Sequence, residues 1–132
     1  MKLLSIQVGL PKTINYRGNP ITTGIFKSPV SGPVRVNTLN LEGDKQADLR
    51  VHGGRDKAVY AFSYDAYPWW QANRPQSVYE YGAFGENLTI ESLAEDRLCI
   101  GDVFELGTVE LQITQPRFPC HKLAAMYDDP SI

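Results

Sequence analysis

This chain has little of several things that would point directly to a function. Its 132 residues include two cysteines, Cys99 and Cys120, too few for the disulfide framework of a small secreted domain. We therefore expect two free thiols and a cytoplasmic location. The 13 basic and 15 acidic residues give a formal net charge of −2, so no excess of positive charge indicates a nucleic-acid polymer as partner.

Long apolar runs are also absent. No stretch approaches the roughly 20 residues of a membrane span, so we expect no membrane association. The first apolar run is broken by Ser5 and Gln7 and is followed by no small-residue cleavage site, which favours a first strand over a signal peptide. The length and the 42% hydrophobic content favour one domain over residues 1–132.

The pattern of apolar residues predicts a mostly β domain with a few short helices. Strands are expected at 4–8, 34–41, 58–62, 88–90, 103–106 and 109–113. The glycine- and proline-rich stretch 11–33 is expected to be irregular or at a sheet edge, with one short strand within 21–30. Helices are expected at about 64–73 and at 121–127. Short strands without regular βα alternation favour an antiparallel barrel or sandwich.

One cysteine stands in a cationic setting. Cys120 follows a proline and has Arg117, His121 and Lys122 within three residues. Positive neighbours favour a thiolate, which can act as a nucleophile, a sulfur carrier or a soft metal ligand. A free cysteine is more often a small buried apolar residue; that interpretation suits Cys99 but conflicts with the polar surroundings of Cys120.

A charged run between two predicted strands, 43–57, contains Gly53 and Gly54. Two adjacent glycines can form a turn whose N–H groups bind an anion, and Arg55 and Lys57 would add positive charge. The spacing of a P-loop is absent. From residue types alone, a solvated turn with paired surface charges is the better interpretation.

A second glycine-containing run, 82–89, carries Glu86 and Asn87, which can hydrogen-bond a heterocycle. The alternative is a glycine-rich turn that leads into a strand. A zinc site is not indicated, because no Cys-x-x-Cys spacing exists. A Cys/His pair through His52 is conceivable, although nothing local supports it.

Together, the runs 43–60, 82–89 and 115–123 resemble the MOSC domain, named for its place at the C-terminus of molybdenum-cofactor sulfurases. Their order and spacing are similar to a stand-alone bacterial subgroup, the YiiM-like proteins, and the resemblance covers nearly the whole chain. It implies a mostly β, barrel-like fold. It also implies binding of the molybdenum cofactor, a pterin dithiolene with a phosphate, with Cys120 as the metal ligand, which suits a soft, sulfur-rich metal centre.

The other cofactor contacts are carried over by charge and position within the resemblance. The expected phosphate contacts are Gly53, Gly54, Arg55, Lys57 and Arg117. The expected contacts to the pterin edge are Glu86 and Asn87. Pyridoxal phosphate is not expected, because it belongs to the sulfurase domain that is fused to some MOSC domains.

For this subgroup the resemblance implies reduction of N-hydroxylated substrates, including hydroxylaminopurines, with electrons from a separate reductase. Cys120 is then catalytic through the metal, and His52 and His121 are candidate proton donors because histidine titrates near neutrality. One alternative is a non-enzymatic carrier of the cofactor, or of sulfur as a Cys120 persulfide. Another is a module that only mediates protein interactions.

The resembling proteins continue well past the segment that follows the cysteine, whereas this sequence stops at Ile132. We therefore expect a barrel that is incomplete at the C-terminus. An unpaired sheet edge favours pairing with a neighbour, so we expect an exposed edge or a homodimer contact near Cys120, and reduced activity of these residues alone.

Overall fold

Short strands make up most of the regular structure. In the computed structural model, which describes residues 1–132, the strands are β1 (Lys2–Val8), β2 (Lys12–Tyr16), β3 (Asn19–Thr23), β4 (Ser28–Val30), β5 (Ala61–Ser63), β6 (Leu88–Glu91), β7 (Val103–Leu106) and β8 (Val109–Gln112). The helices are α1 (Tyr67–Asn73) and α2 (His121–Tyr127), with 3-10 turns at Arg55–Lys57, Tyr64–Ala66 and Glu95–Arg97. None of these helices is long and apolar enough to cross a membrane.

The largest sheet has four strands in the order β4-β1-β6-β5. β1 is antiparallel to both of its neighbours, and β5 is parallel to β6. The pairs β2–β3 and β7–β8 form separate two-stranded sheets. The expectation of a mostly β fold with few short helices is confirmed, but the sheets are not closed into a barrel. β5 pairs on one side only, which leaves it as an edge strand beside the segment that contains Tyr60.

Local turn chemistry overrides the predicted strand at 34–41. Asn37 N–H donates to the carbonyl of Asn40 at 2.8 Å, and Glu42 N–H donates to that of Arg35 at 2.9 Å. The segment therefore folds back on itself, with only an isolated bridge between Val36 and Leu41. Asparagine favours turns because its side chain competes for backbone hydrogen bonds, so the alternating pattern was misleading there.

The glycine- and proline-rich stretch is more regular than predicted. It contains the β2–β3 hairpin, which turns at Arg17 and Gly18, both with positive φ, and it also contains β4. Pro20 is tolerated in β3 because this hairpin has no third strand that would need its missing N–H. The strand predicted at 58–62 is shorter and shifted to Ala61–Ser63.

The buried core is small and largely aromatic, and it lies where the two helices meet the segment before β6. Phe84 is 5.6 Å from Tyr79 in a stacked arrangement and 5.3 Å from Tyr67 edge-on, measured between ring centroids. Leu123 of α2 joins this cluster. Such aromatic pairs stabilise beyond the area they bury. The core therefore fixes α2, whose first residue follows Cys120.

A buried carboxylate organises the segment between the core and β6. Glu86 is fully buried and accepts hydrogen bonds from the N–H groups of Gly82 at 2.9 Å and Phe84 at 3.0 Å. It also accepts one from the Thr89 hydroxyl at 2.9 Å and one from the Tyr67 hydroxyl. A buried charge is tolerated only when it is fully hydrogen-bonded, so Glu86 holds this segment in one conformation.

We predict that Glu86→Gln lowers the free energy of unfolding by about 3 kcal/mol, because an amide –NH₂ then faces donors that need an acceptor. Urea denaturation measures the change. Glu80→Gln, at an exposed carboxylate close by in the sequence, is the matched control and should stay within about 0.5 kcal/mol of the wild type. A loss from Glu86→Gln no larger than that of the control would contradict the proposed network.

Candidate functional site

A partly open cleft lies where four segments of the chain meet. Its volume is about 60 Å³. The segments are the end of β3 with the residues after it, the loop before β5, the Glu86 segment, and the start of α2. The lining residues are Thr23, Gly24, Ile25, Lys27, Asp44, Gln46, Ala47, His52, Lys57, Tyr60, Gly85, Asn87, Arg117, Cys120 and Lys122.

Cys120 is half-buried and is the only cysteine that lines this cleft. The preceding residues, 114–119, have no regular structure. Two side chains attach them to the loop before β5: the Thr114 hydroxyl donates to the carbonyl of Asp56 at 2.7 Å, and Gln115 Nε2 donates to the same oxygen at 3.2 Å. These bonds hold the cysteine segment against the loop that carries His52 and Lys57.

Positive charge dominates the cleft. Lys57, Arg117 and Lys122 line it without a carboxylate partner, and Lys27 lines it while paired with Asp44. Lys57 Nζ donates to the carbonyl of Val51 at 2.8 Å, and this single contact leaves it two further donors. The Arg117 guanidinium lies 5.3 Å from the centre of the Tyr60 ring, a cation–π distance. Four cations against one carboxylate favour an anionic ligand.

His52 is neutral at neutral pH. Burial lowers its pKa to about 4, and the charges of Arg117, Lys122 and Lys57 act in the same direction. Its Nδ1 is buried without a hydrogen-bond partner. His52 was expected to donate a proton because free histidine titrates near neutrality, but in this setting the ring does not carry the extra proton. An anion that neutralises the surrounding cations would raise the pKa of His52.

Five of the residues predicted from the sequence come together in this cleft: Cys120, His52, Lys57, Asn87 and Arg117. The amide of Asn87 is already used by the backbone, since it accepts from Tyr60 N–H at 3.1 Å and donates to the Gln7 carbonyl at 3.2 Å. Asn87 therefore builds the wall of the cleft.

The other predicted residues lie outside it. Gly53 and Gly54 have positive φ, as expected for a tight turn, but they do not line the cleft, and Arg55 is exposed beside them. Their turn brings His52 and Lys57 to the site instead. Glu86 faces four protein donors in the interior, and His121 is exposed on the outside of α2.

Three charged residues of the cleft were not singled out as ligand contacts. Lys122 was visible as a neighbour of Cys120, and Asp44 stands in the charged run. Lys27 has no local signal, because it is a single lysine in a glycine- and proline-rich stretch. Only the fold, which places the residues after β3 against Asp44, brings it to the site.

The chain matches the MOSC domain family over residues 48–131. This chain belongs to the MOSC domain family. The family is associated with molybdenum-cofactor binding, and the match contains both the His52–Lys57 loop and Cys120.

Relatives of this MOSC chain include both bacterial and fungal proteins. It is 47% identical to the protein YflK of Bacillus subtilis over 127 residues, which cover 95% of this chain and 56% of YflK. It is 37% identical over 131 residues to a protein named reductase from Gibberella moniliformis, covering 97% of this chain and 23% of that protein. The crystal structure of YiiM from Geobacillus stearothermophilus superposes with a TM-score of 0.73 at 37% identity, covering 97% of this chain and 57% of that one. The MOSC chain thus spans about half the length of YflK and YiiM.

We predict that His52 makes the stability of this chain decrease as the pH falls from about 6.5 towards 4. The pKa of His52 is lower in the folded state, so between these values the unfolded state binds more protons and gains stability. Urea denaturation at pH 7 and pH 5 should show a larger loss for the wild type than for His52→Asn. His121→Asn, at the exposed histidine, is the matched control. Equal losses in the wild type and His52→Asn would contradict the assignment.

Proposed function

We propose that this MOSC chain binds the molybdenum cofactor in the cleft and contributes to the reduction of N-hydroxylated compounds. The observation that carries the proposal is the position of Cys120, a half-buried thiol surrounded by unpaired cations and a neutral His52. The family match and the relative named reductase support the chemistry.

The residues present fit this cofactor. A thiol is a soft ligand and suits a soft metal, and Cys120 is the only one at the site. No group of three or more His, Cys, Asp or Glu side chains is arranged to hold a metal ion, so the metal would reach Cys120 with its other ligands already supplied by the pterin dithiolene. At about 60 Å³ the cleft is smaller than the roughly 300–1,000 Å³ of pockets that enclose whole ligands, so it would take only the metal and phosphate end.

The roles of the chain's own residues follow from their charges. Cys120 would hold the metal, and Lys57, Arg117 and Lys122 would bind the phosphate as charge-assisted donors. When bound, the cofactor supplies the two electrons that break the N–O bond; a hydroxylamine then becomes an amine and water with the uptake of two protons. His52 is neutral at the site, so it would accept a hydrogen bond or pass on a proton received from solvent. A separate reductase is proposed to deliver the electrons.

The alternative, a carrier of the cofactor or of sulfur, is favoured by the small size and open side of the same cleft. A carrier must release the molecule that it binds. A shallow site buries little of that molecule and therefore allows its release. A persulfide on Cys120 would use the same surrounding cations to stabilise its negative charge. Both functions need Cys120, so measurements of binding and of turnover are required to separate them.

We predict that Cys120→Ser loses bound molybdenum at least tenfold, because a hydroxyl is a hard and weak ligand for this metal. The measurement is metal analysis and pterin fluorescence of protein made in a molybdate-supplied, cofactor-competent host. Cys99→Ser, at the exposed cysteine, is the matched control and should keep the wild-type metal content.

Reduction of a hydroxylaminopurine with a supplied reductase then distinguishes the two functions. Turnover by the wild type that is lost in Cys120→Ser supports the enzyme. Bound cofactor without turnover supports the carrier. Wild-type protein that contains neither molybdenum nor pterin would overturn both.

We predict that Arg117→Gln reduces pterin retention after gel filtration about tenfold, because a charge-assisted hydrogen bond to phosphate is lost. Arg55→Gln removes the same charge from a neighbouring surface that does not line the cleft, and it should retain the wild-type amount. Equal retention in the two variants would place the phosphate elsewhere.

A further inference from the structure

The cleft contains one carboxylate, Asp44, and one of its two oxygens has no protein partner. Asp44 is 2% exposed. Its Oδ1 accepts from Gly9 N–H at 2.9 Å and from Lys27 Nζ. Its Oδ2 is closed off from solvent and has no hydrogen-bond partner. Asp44 lines the cleft, and Oδ2 is its one side-chain oxygen without a protein partner.

An unpaired oxygen in this position is unusual. Buried polar groups nearly always have a partner, and leaving one without a partner costs free energy. Every other charged side chain that lines the cleft is a cation: Lys27, Lys57, Arg117 and Lys122. A ligand that carried only negative charge would satisfy these cations and leave Asp44 Oδ2 unpaired.

We propose that Asp44 Oδ2 is a specificity-determining acceptor, which takes a hydrogen bond from an N–H group of an anionic ligand. The ligand class is therefore a phosphorylated or otherwise anionic compound with an amide or amino N–H donor beside the charge. Lys27 lines the cleft with Asp44 and binds Oδ1 rather than Oδ2. A lysine ammonium sits on a flexible four-carbon stem, so a small shift of this group would admit the donor.

The identity of this ligand rests on the proposed function, but the subsite does not. Within the proposed function, two molecules could supply the N–H donor. The pterin ring of the cofactor carries N–H groups, and so does the hydroxylamino group of the substrate. In both cases the N–H group would pair with Asp44 while the phosphate end of the cofactor occupies the cationic side of the cleft. The neutral substrate would supply only the N–H group, beside the bound cofactor.

Asp44→Asn tests the acceptor with little change in shape. The amide oxygen is required by Gly9 N–H and Lys27, so the –NH₂ takes the place of Oδ2. The variant therefore replaces a ligand-facing acceptor with a donor. A site built to accept an N–H donor discriminates strongly against the wrong partner.

Calorimetry with two small probes measures this preference on the chain without its cofactor. Phosphonoacetamide carries an N–H donor next to its anionic group, and its N,N-dimethyl amide does not. The wild type should bind the first at least tenfold more tightly, and Asp44→Asn should lose the difference while still binding inorganic phosphate. Equal binding of both probes by the wild type, binding of neither, or a preference retained in Asp44→Asn would each overturn the proposal. The wild-type comparison remains decisive if Asp44→Asn does not fold.

Protein from the cofactor-competent host identifies the source of the N–H group. A loss of pterin content in Asp44→Asn assigns the donor to the cofactor. Unchanged pterin with a KM for the hydroxylaminopurine raised tenfold and kcat unchanged assigns it to the substrate. If neither quantity changes, neither source uses Asp44 and the proposal fails. Absence of molybdenum from the wild type would refute the proposed function alone, because the probe preference is measured without the cofactor.

Discussion

The hydrogen bonding of Glu86 is the constraint on which the rest of this structure depends. A fully buried carboxylate must have donors on both oxygens, and here they come from Tyr67 of α1, from two backbone N–H groups and from Thr89 of β6. One side chain thereby ties a helix, a turn and the central sheet together. Thr89 extends the network by accepting from Gln7 Nε2 at 3.1 Å, which brings β1 into it.

The Glu86 network also shapes the cleft, although Glu86 itself does not line it. Gly85 and Asn87 flank Glu86 in sequence, and both line the site. A Cβ atom at Gly85 would lie 2.7 Å from Ile25 Cγ1, and φ is +76°, so only glycine lets this turn pack so closely against the residues after β3. The buried Glu86 network and the cleft therefore share the turn at 85–87. A change in the Glu86 network would alter the wall of the cleft.

Local patterns in the sequence predicted the elements of regular structure better than the contacts within the site. The strands with clear alternation, β1 and β7–β8, and the α2 helix lie where expected, because each is a local pattern. Residues 34–41 failed because the hydrogen bond from Asn37 N–H to the Asn40 carbonyl outweighed the alternation. Glu86 and Asn87 look like ligand contacts in a sequence, since nothing local shows that their polar atoms bond to Tyr67, Gln7 and Tyr60. Cys120, His52, Lys57 and Arg117, which the family resemblance singled out, lie together in one cleft. Lys27 and Asp44 join them only through the fold.

Electrostatics sets the condition under which the site can work. His52 is neutral because burial and three cations oppose its protonation, and those cations are the groups that would meet an anionic ligand. Binding of an anion would therefore weaken the repulsion and make His52 more basic. The cleft would then couple ligand binding to proton uptake by His52, which is neutral in the free protein.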